Sequence, residues 1–191
     1  MRQIIQALFM FAALLTTSTV FAAETYIIDP AHTSFGFTVK HMMISNVPGE
    51  FDKFSGQITY GPTELSDSQA NVTIDVSSIN TRIDQRDTHL KSPDFFDAAQ
   101  FPTITFVSTK FTSTAIIGNL TMKGVTKEVT IPVTISGPVK TMTGVNAIGI
   151  TGSVIINRQD YGINWNKTLD QGGVVVSNNV VVTFSIEADQ K

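Results

Sequence analysis

The stretch Ser34-Phe35-Gly36-Phe37-Thr38-Val39-Lys40 shows the pattern that most of the chain follows. Large apolar side chains occupy every second position, and small, polar or charged residues stand between them. In a β-strand, this period of two places the apolar side chains on one face and the others on the opposite face. The stretch therefore predicts a strand that is buried on one side.

The same alternation returns downstream of this strand. Further alternating segments lie at residues 72–76, 104–106, 129–135, 148–156 and 180–186. Roughly eight strands separated by turn residues such as Gly61-Pro62 and Lys123-Gly124 are typical of an all-β sandwich or barrel. A closed barrel removes exposed strand edges, and a barrel near eight strands either fills with side chains or holds one small molecule. The pattern leaves sandwich and barrel open, and we expect a single all-β domain, residues 23–191.

Two places depart from the alternation. Residues 42–49, Met-Met-Ile-Ser-Asn-Val-Pro-Gly, are largely apolar without a period of two, and we expect a loop there. Pro132 falls inside the alternating segment 129–135 and cannot donate a hydrogen bond to a neighbouring strand. The sequence thus predicts an unpaired position, a bulge or a sheet edge at Pro132.

The segment Arg86–Pro102 does not resemble a strand, and we expect a short helical insertion around residues 84–100. Ser92-Pro93-Asp94 is typical of a helix start, with Ser92 as the N-cap and Pro93 at the first helical position. Pro102 would end this helix after about two turns. Residues 84–91 are expected to form another short helical segment, in which Asp87 stands four residues before Lys91. The phenylalanines of the insertion must be buried against the sheet: Phe95, Phe96 and Phe101.

The N-terminus has the three parts of a secretory signal peptide. An apolar run at residues 4–15 follows Arg2, and a small-residue region leads to Val20-Phe21-Ala22. The run is shorter than the ~20 apolar residues that a transmembrane helix needs. We expect cleavage after Ala22. The chain contains no cysteine, and export without disulfides suits a bacterial periplasmic protein.

Composition and motifs exclude several functions. The formal charge is −3 with 13 Lys+Arg and 16 Asp+Glu, and it becomes −4 when Arg2 is removed. A mildly acidic chain without basic clusters argues against nucleic acid and against electrostatic membrane docking. No hydrolase, metalloprotease or nucleotide-binding motif is present, so we expect no catalytic site and no cofactor. His32 and His41 fall on opposite faces of a regular strand, and we expect no metal site.

Four blocks of sequence resemble the YceI-like family of exported bacterial proteins with a lipocalin-like barrel. They are Ser34–His41 with Gly49-x-Phe51-x-x-Phe54-x-Gly56, Arg86–Asp97 with Phe101-Pro102, Gly118-x-Leu120-Thr121-x-x-Gly124-x-Thr126-Lys127, and Asn157-Arg158-x-Asp160-Tyr161-Gly162-Ile163. The blocks fall in order over nearly all of residues 23–191. The resemblance implies an extended antiparallel lipocalin-like barrel of about eight strands. Its interior would bind a long isoprenoid or related lipid, such as a polyprenyl chain, a quinone tail or a fatty amide.

Phenylalanine supplies the candidate lining of that interior. Ten of the 13 phenylalanines follow the signal peptide, against one Trp and three Tyr in the whole chain. As a set we interpret them as lining a tunnel, although any single one could simply fill the core. The methionines of the 42–49 loop suit a mouth that admits flexible chains. The candidate ligand-binding residues are Phe35, Phe37, Val39, His41, Met43, Phe51, Phe54, Phe95, Phe96, Phe106 and Trp165.

A few polar groups could orient the head of such a ligand. The candidates are His41, Arg86, His89, Arg158 and Asn164, although Arg86 and His89 could instead brace the insertion and Arg158 could pair with Asp160. Burying ~400 Å² of an apolar chain at ~25 cal/mol/Å² gives about 10 kcal/mol before an association cost of about 4 kcal/mol or more. Micromolar to nanomolar binding therefore needs no charged anchor.

The sequence leaves three interpretations of function open. The first is a periplasmic carrier of a hydrophobic small molecule, with no membrane-spanning segment in the mature chain. The second is a stress-related structural or partner-binding barrel whose core is filled. The third is an enzyme that acts on a bound lipid, for which His41 or His89 would be required. A barrel that opens at one end could also pair mouth to mouth as a homodimer.

Overall fold

The computed structural model describes residues 22–168 and 173–191. The predicted signal peptide falls almost wholly on residues 1–21, outside the described residues. The strands are β1 (Glu24–Ile28), β2 (Ser34–His41), β3 (Ser45–Phe51), β4 (Phe54–Tyr60), β5 (Gln69–Asp75), β6 (Ile79–Asn80), β7 (Thr103–Phe111), β8 (Ala115–Met122), β9 (Val125–Lys140), β10 (Asn146–Asn157) and β11 (Val176–Gln190). One α-helix, α1 (Asp84–Lys91), and three 3-10 turns (Leu65–Asp67, Val76–Ser78, Arg158–Tyr161) complete the described elements.

The strands form a closed antiparallel barrel. All pairings are antiparallel, in the order β1-β4-β5-β7-β8-β9-β10-β11, and β1 pairs again with β11 to close the sheet. β2 continues β1 along the edge of β11, β3 pairs with β2, and the short β6 continues β5 against β3. β3 likewise continues into β4, so three barrel strands are each interrupted once (β1–β2, β3–β4 and β5–β6), and the eleven segments amount to eight strands. The predicted eight-stranded lipocalin-like barrel is confirmed.

The interruption between β1 and β2 is connected to β11 by the Asp29 N–H, which donates to the Glu187 carbonyl at 2.9 Å, and by the Thr33 side chain. Ile28 pairs with Ala188 and Ser34 with Ser185, so residues 29–33 oppose only two residues of β11. The Thr33 hydroxyl donates to the Glu187 carbonyl and accepts from the Glu187 N–H, at 3.1 and 3.0 Å. These two bonds satisfy the backbone of β11 where the ladder stops.

The predicted loop at 42–49 is wrong for most of its length. β2 and β3 form a tight hairpin in which only Met42–Ile44 make the turn, and Val47 and Gly49 pair with Val39 and Phe37. Gly49 stands at an inward position without a side chain, which hides the alternation of Val47, Gly49 and Phe51. The prediction for Pro132 is confirmed, since Ala115–Pro132 is the last pair between β8 and β9, and β9 continues with β10 alone.

The helical insertion is only half helical. Asp84–Lys91 forms α1 as expected, but Ser92 ends this helix, and its N–H donates to the His89 carbonyl. Residues 93–100 form turns in which the Ser92 carbonyl accepts from Phe95 and Asp97. The predicted N-cap at Ser92 is therefore wrong: the preceding helix already uses Ser92, whose hydroxyl donates back to the His89 carbonyl at 2.8 Å. Asp87 binds the N–H of Thr81, not Lys91.

The interior contains two apolar clusters, one towards each end of the barrel. One centres on Tyr26, Ile58, Ile148 and Ile150, and the other on Phe51, Val76, Phe95 and Tyr161. The turns of the insertion close over the second cluster, where Phe95 is 6 % exposed. In the part of the chain that the structure describes, no helix combines the length and apolar character needed to span a bilayer.

Candidate functional site

Three spaces lie in a row inside the barrel. The innermost has a volume of about 100 Å³, the middle one about 160 Å³, and the outer one, at the mouth, about 220 Å³. The inner two share six lining side chains: Phe35, Ile74, Ile104, Leu120, Ile156 and Val182. The middle and outer spaces share Phe37, Val39, Leu90, Phe95 and Val176. Neighbouring spaces thus adjoin one another and are divided by side chains.

The inner two spaces are almost purely apolar. Every residue that lines the innermost space is aliphatic or aromatic, and the middle space adds Met122, Gly36 and Arg158 to such residues. A cavity of about 150 Å³ with this kind of lining stays free of water and binds apolar molecules. The arrangement can bind hydrocarbon.

Glycines opposite phenylalanine rings help to leave this space open. Phe37 and Phe184 lie across from Gly49 and Gly152 in their ladders. A Cβ at Gly152 would lie 2.5 Å from the Phe184 ring, and a Cβ at Gly49 would collide with the Phe37 ring. The rings therefore lie over the glycine backbone of the neighbouring strand and take up less of the barrel interior.

Among the residues that the structure describes, Arg158 is the one charged residue that lines the middle space. It is 4 % exposed, and its guanidinium donates to the carbonyls of Ile163 at 2.6 Å and Ser177 at 3.0 Å. Burial lowers the pKa of Arg158 from its ordinary value, since desolvation disfavours the charged form. The expected ion pair with Asp160 is wrong: Arg158 instead joins the loop after β10 to the start of β11 through backbone carbonyls.

The mouth carries the polar groups. His41, Arg86 and His89 line the outer space together with Trp165. Arg86 donates to the hydroxyl and the carbonyl of Thr81, both at 2.7 Å, so it braces the start of the insertion. His89 bonds Asp94 at 2.9 Å through Nε2, and its ring packs edge-on against Phe95 and Trp165.

Nine of the eleven predicted ligand-binding residues border the three spaces. They are Phe35, Phe37, Val39, His41, Phe51, Phe95, Phe96, Phe106 and Trp165. Met43 and Phe54 do not. Met43 is 52 % exposed at the tip of the β2–β3 hairpin, and Phe54 packs edge-on against Phe35, with ring centroids 4.9 Å apart, beside a separate surface groove. Among the polar candidates, Asn164 is exposed and lies outside the lining.

Sequence reasoning missed the aliphatic half of the lining. Ile74, Ile104, Leu120, Ile156 and Val182 form the division between the inner two spaces. Their signal was available, since each stands at an alternating position of its strand, but ring size drew the prediction to phenylalanine. Which of these side chains separate two spaces depends on the register of distant strands.

One group of potential metal ligands lies at the interruption between β1 and β2, away from the three spaces. In the described ranges, 22–168 and 173–191, Asp29, His32 and Glu187 place ligand atoms within 4.8 Å of one another. The hydrogen bond that His32 Nδ1 donates to the Asp29 carboxylate raises the pKa of His32 and lowers the pKa of Asp29. An ion pair between Asp29 and His32, which stabilises the interruption between β1 and β2, accounts for this geometry.

The chain was compared with known proteins. It matches the YceI-like domain over residues 26–188. It is 43 % identical over 160 residues to the UPF0312 protein SAR2769 of Staphylococcus aureus, with 83 % of this chain and 94 % of that protein covered.

Solved structures share the fold. BcnA of Burkholderia cenocepacia superimposes with a TM-score of 0.73 at 26 % identity, covering 84 % of this chain and 98 % of that one. The YceI protein of Campylobacter jejuni gives 0.69 at 31 % identity, covering 80 % and 90 %. A polyisoprenoid-binding domain of Saccharophagus degradans gives 0.64 at 18 % identity, covering 87 % and 98 %. With the domain matched over residues 26–188, this chain belongs to the YceI-like family.

Proposed function

We propose that this protein binds one long-chain isoprenoid or related lipid, such as a polyprenyl chain, a quinone tail or a fatty amide, inside its barrel and carries it through the periplasm. The observation that carries the proposal is the row of three spaces, apolar inside and polar only at the mouth. This order matches a molecule with an oily tail and a small polar head. The Saccharophagus degradans neighbour, described as a polyisoprenoid-binding domain, has the same fold.

The divided interior indicates how such a tail fits. Each inner space alone is close in size to a cavity that holds one benzene molecule. A tail that passes from the mouth to the innermost space requires rotation of the side chains shared by neighbouring spaces. Rotamer changes of this kind are common on binding, and they leave the barrel backbone in place.

The alternative of a filled, partner-binding barrel predicts a closely packed core. The 160 Å³ space in the middle of the barrel argues against it. We also propose binding and not catalysis, since no carboxylate of the described residues lines the three spaces. Retention of lipid unchanged by wild-type protein and by the variants His41→Ala and His89→Ala supports this, and conversion of the lipid would contradict it.

The test of binding uses two adjacent valines of β11. Val182 lines the inner two spaces, whereas Val181 is 38 % exposed on the outer face. Val182→Trp should fill the interior and abolish the lipid that copurifies with wild-type protein, as measured by native mass spectrometry and organic extraction. Val181→Trp should retain it. Wild-type protein that stays folded after delipidation and takes up no isoprenoid, quinone or fatty amide would refute the proposal.

Export is a separate part of the proposal. It rests on the signal-peptide pattern of residues 1–22. Cell fractionation followed by N-terminal sequencing should recover a periplasmic chain that begins at Ala23. A cytoplasmic chain that begins at Met1 would overturn this part and leave the binding proposal standing.

A further inference from the structure

The turn of the β2–β3 hairpin presents three consecutive apolar side chains to solvent. Met42, Met43 and Ile44, here called the apolar tip, are 41 %, 52 % and 83 % exposed. Single exposed apolar residues are ordinary, but a contiguous exposed group marks an interaction site. The tip therefore requires an explanation that packing inside the barrel does not supply.

The backbone of the apolar tip is unfavourable for the residues it carries. Met42 and Met43 have φ angles of +49° and +63°. This left-handed conformation favours glycine or asparagine and is costly for other residues. Two methionines at these positions lower the stability of the fold and also expose apolar surface. Unfavourable backbone conformations of this kind cluster at functional sites.

The apolar tip belongs to the rim of the barrel mouth. His41 directly precedes it and lines the outer space, as do Val39 and Val47. The Met42 N–H donates to the carbonyl of Val175, which lines the same space, at 2.9 Å. The apolar surface of the tip is thus continuous with the opening through which a lipid enters.

A second exposed apolar side chain lies near the mouth. Ile83, immediately before α1, is 51 % exposed. It stands between Thr81 and Arg86, both of which line the outer space. Two separate parts of the chain therefore expose apolar side chains near the same opening.

Two cations flank the apolar tip. Lys40 precedes the turn on β2. On the other side, Val175 connects Lys167 to the tip: its N–H donates to the Lys167 carbonyl, and its carbonyl accepts from the Met42 N–H. Apolar side chains beside lysines form the arrangement that inserts into the headgroup region of a bilayer with anionic lipids. A mouth-to-mouth pair of barrels would instead bring the lysines of two copies together. The charges thus favour a bilayer over a second copy of the chain.

We propose that the apolar tip inserts into the bilayer and holds the mouth against the membrane while the barrel takes up or releases its lipid. The proposal rests on the function proposed above, to which it adds a lipid surface as the partner. Because the contact is mainly apolar, it differs from the electrostatic docking that the acidic composition excludes. It should depend only weakly on salt.

The chain offers a matched control at the other end of the barrel. Met142, at the β9–β10 turn, is 107 % exposed. Asn146, near this turn, pairs with Lys140 and bonds Gln190, at the far end of β11 from Val176. β11 has 15 residues, so the two turns lie roughly 45 Å apart at about 3.3 Å per residue. Met142→Glu adds the same charge to an exposed apolar turn that is remote from the mouth.

The experiment uses residues 23–191, the chain expected after cleavage, which contains the whole YceI-like domain matched over residues 26–188. Delipidated wild-type protein, Ile44→Glu and Met142→Glu are mixed with vesicles of phosphatidylethanolamine and phosphatidylglycerol. Flotation measures binding to the vesicles. Uptake of a quinone from the same vesicles measures transfer, and titration with free geranylgeraniol measures binding inside the barrel.

Wild-type protein and Met142→Glu should float with the vesicles and extract the quinone equally. Ile44→Glu should lower flotation and the rate of extraction by at least about tenfold, since it replaces one inserted apolar side chain by a charge. Its affinity for free geranylgeraniol should match that of the wild type.

Equal flotation and extraction by Ile44→Glu and wild type would overturn this proposal. So would a dimer that Ile44→Glu dissociates when vesicles are absent, because the tip would then bind a second copy. Flotation that depends on Ile44 without binding of geranylgeraniol or quinone would support the membrane contact and refute the proposed function. The two proposals therefore fail separately.

Discussion

At the scale of single residues, the size of the interior depends on glycines that the aromatic rings require. Phe37 lies over Gly49, and Phe106 lies over Gly118, where a Cβ would stand 2.6 Å from the ring. Each glycine lets a ring pack against a neighbouring strand instead of pointing across the barrel. The phenylalanine rings thus pack flat against the barrel strands and leave the centre of the barrel open.

Gly49→Ala should therefore reduce lipid binding more than it reduces stability. The new methyl group collides with the Phe37 ring, and the adjacent 160 Å³ space gives that ring room to move inward. Strain from an added methyl group costs about 1–3 kcal/mol in a filled core, and we expect the lower end here. Lipid affinity and the thermal midpoint should be measured on the same preparations.

The control for this substitution is on β10. A Cβ at Gly149 has its nearest neighbour, the Ser136 Cβ, at 3.8 Å, and Gly149 lines none of the three spaces. Gly149→Ala should leave lipid affinity unchanged. Equal loss of affinity in both variants would show that the Phe37 ring does not control the size of the interior.

At the scale of elements, the interruption between β1 and β2 is the place where pH should act on the fold. Asp29 and His32 pair across the turn at 2.5 Å, and the Asp29 N–H donates to the Glu187 carbonyl. The bond raises the pKa of His32, so the stability that His32 adds to the folded state is present below about pH 6.5 and is lost as pH rises through its pKa in the folded protein. The pKa of Asp29 is lowered, so the stability that Asp29 adds is present above about pH 3.9 and is lost as pH falls through its pKa in the folded protein.

His32→Gln should therefore destabilise the protein most between about pH 4 and pH 6.5, and the difference from wild type should shrink at higher pH. The effect should be small because His32 is 65 % exposed. Urea unfolding at a series of pH values measures it, with His41→Gln as the control for loss of an imidazole. A difference that is constant with pH would show that the pair does not fasten the interruption.

The same scale shows where sequence reasoning succeeds and where it does not. Alternation predicted the strands because burial on one face is a local property of a strand. The motif Ser92-Pro93-Asp94 wrongly predicted a second helix, because the same residues suit a helix start whether or not a helix ends at Ser92. Alternation also missed β3 at Ser45–Gly49, where the inward position of Gly49 has meaning only when Phe37 covers it.

At the scale of the whole molecule, closure was predictable and the shape of the interior was not. Eight alternating strands leave two exposed edges unless the first pairs with the last, as β1 and β11 do. The division into three spaces depends on which side chains of six or more strands meet at one level. No local pattern reports this, so the aliphatic residues around Val182 were missed while the phenylalanines were named.

A barrel with empty space inside should be more stable when its lipid ligand is bound. A ligand that binds only the folded state adds about 2.7 kcal/mol when its concentration is 100 times the dissociation constant. For a domain of this size that corresponds to a rise of roughly 5–10 °C in the thermal midpoint. Delipidation should lower the midpoint of wild-type protein by this amount, and added geranylgeraniol should restore it.

Val182→Trp separates the guest from the barrel in this measurement. Its indole occupies the boundary of the inner two spaces, so the interior of the variant is filled and holds no lipid that delipidation could remove. Its thermal midpoint should be the same before and after delipidation, whereas that of Val181→Trp should fall as the wild type does. If extraction lowers the midpoint of Val182→Trp and of wild type equally, the lipid stabilises the protein from outside the barrel. The hollow interior would then have no part in binding.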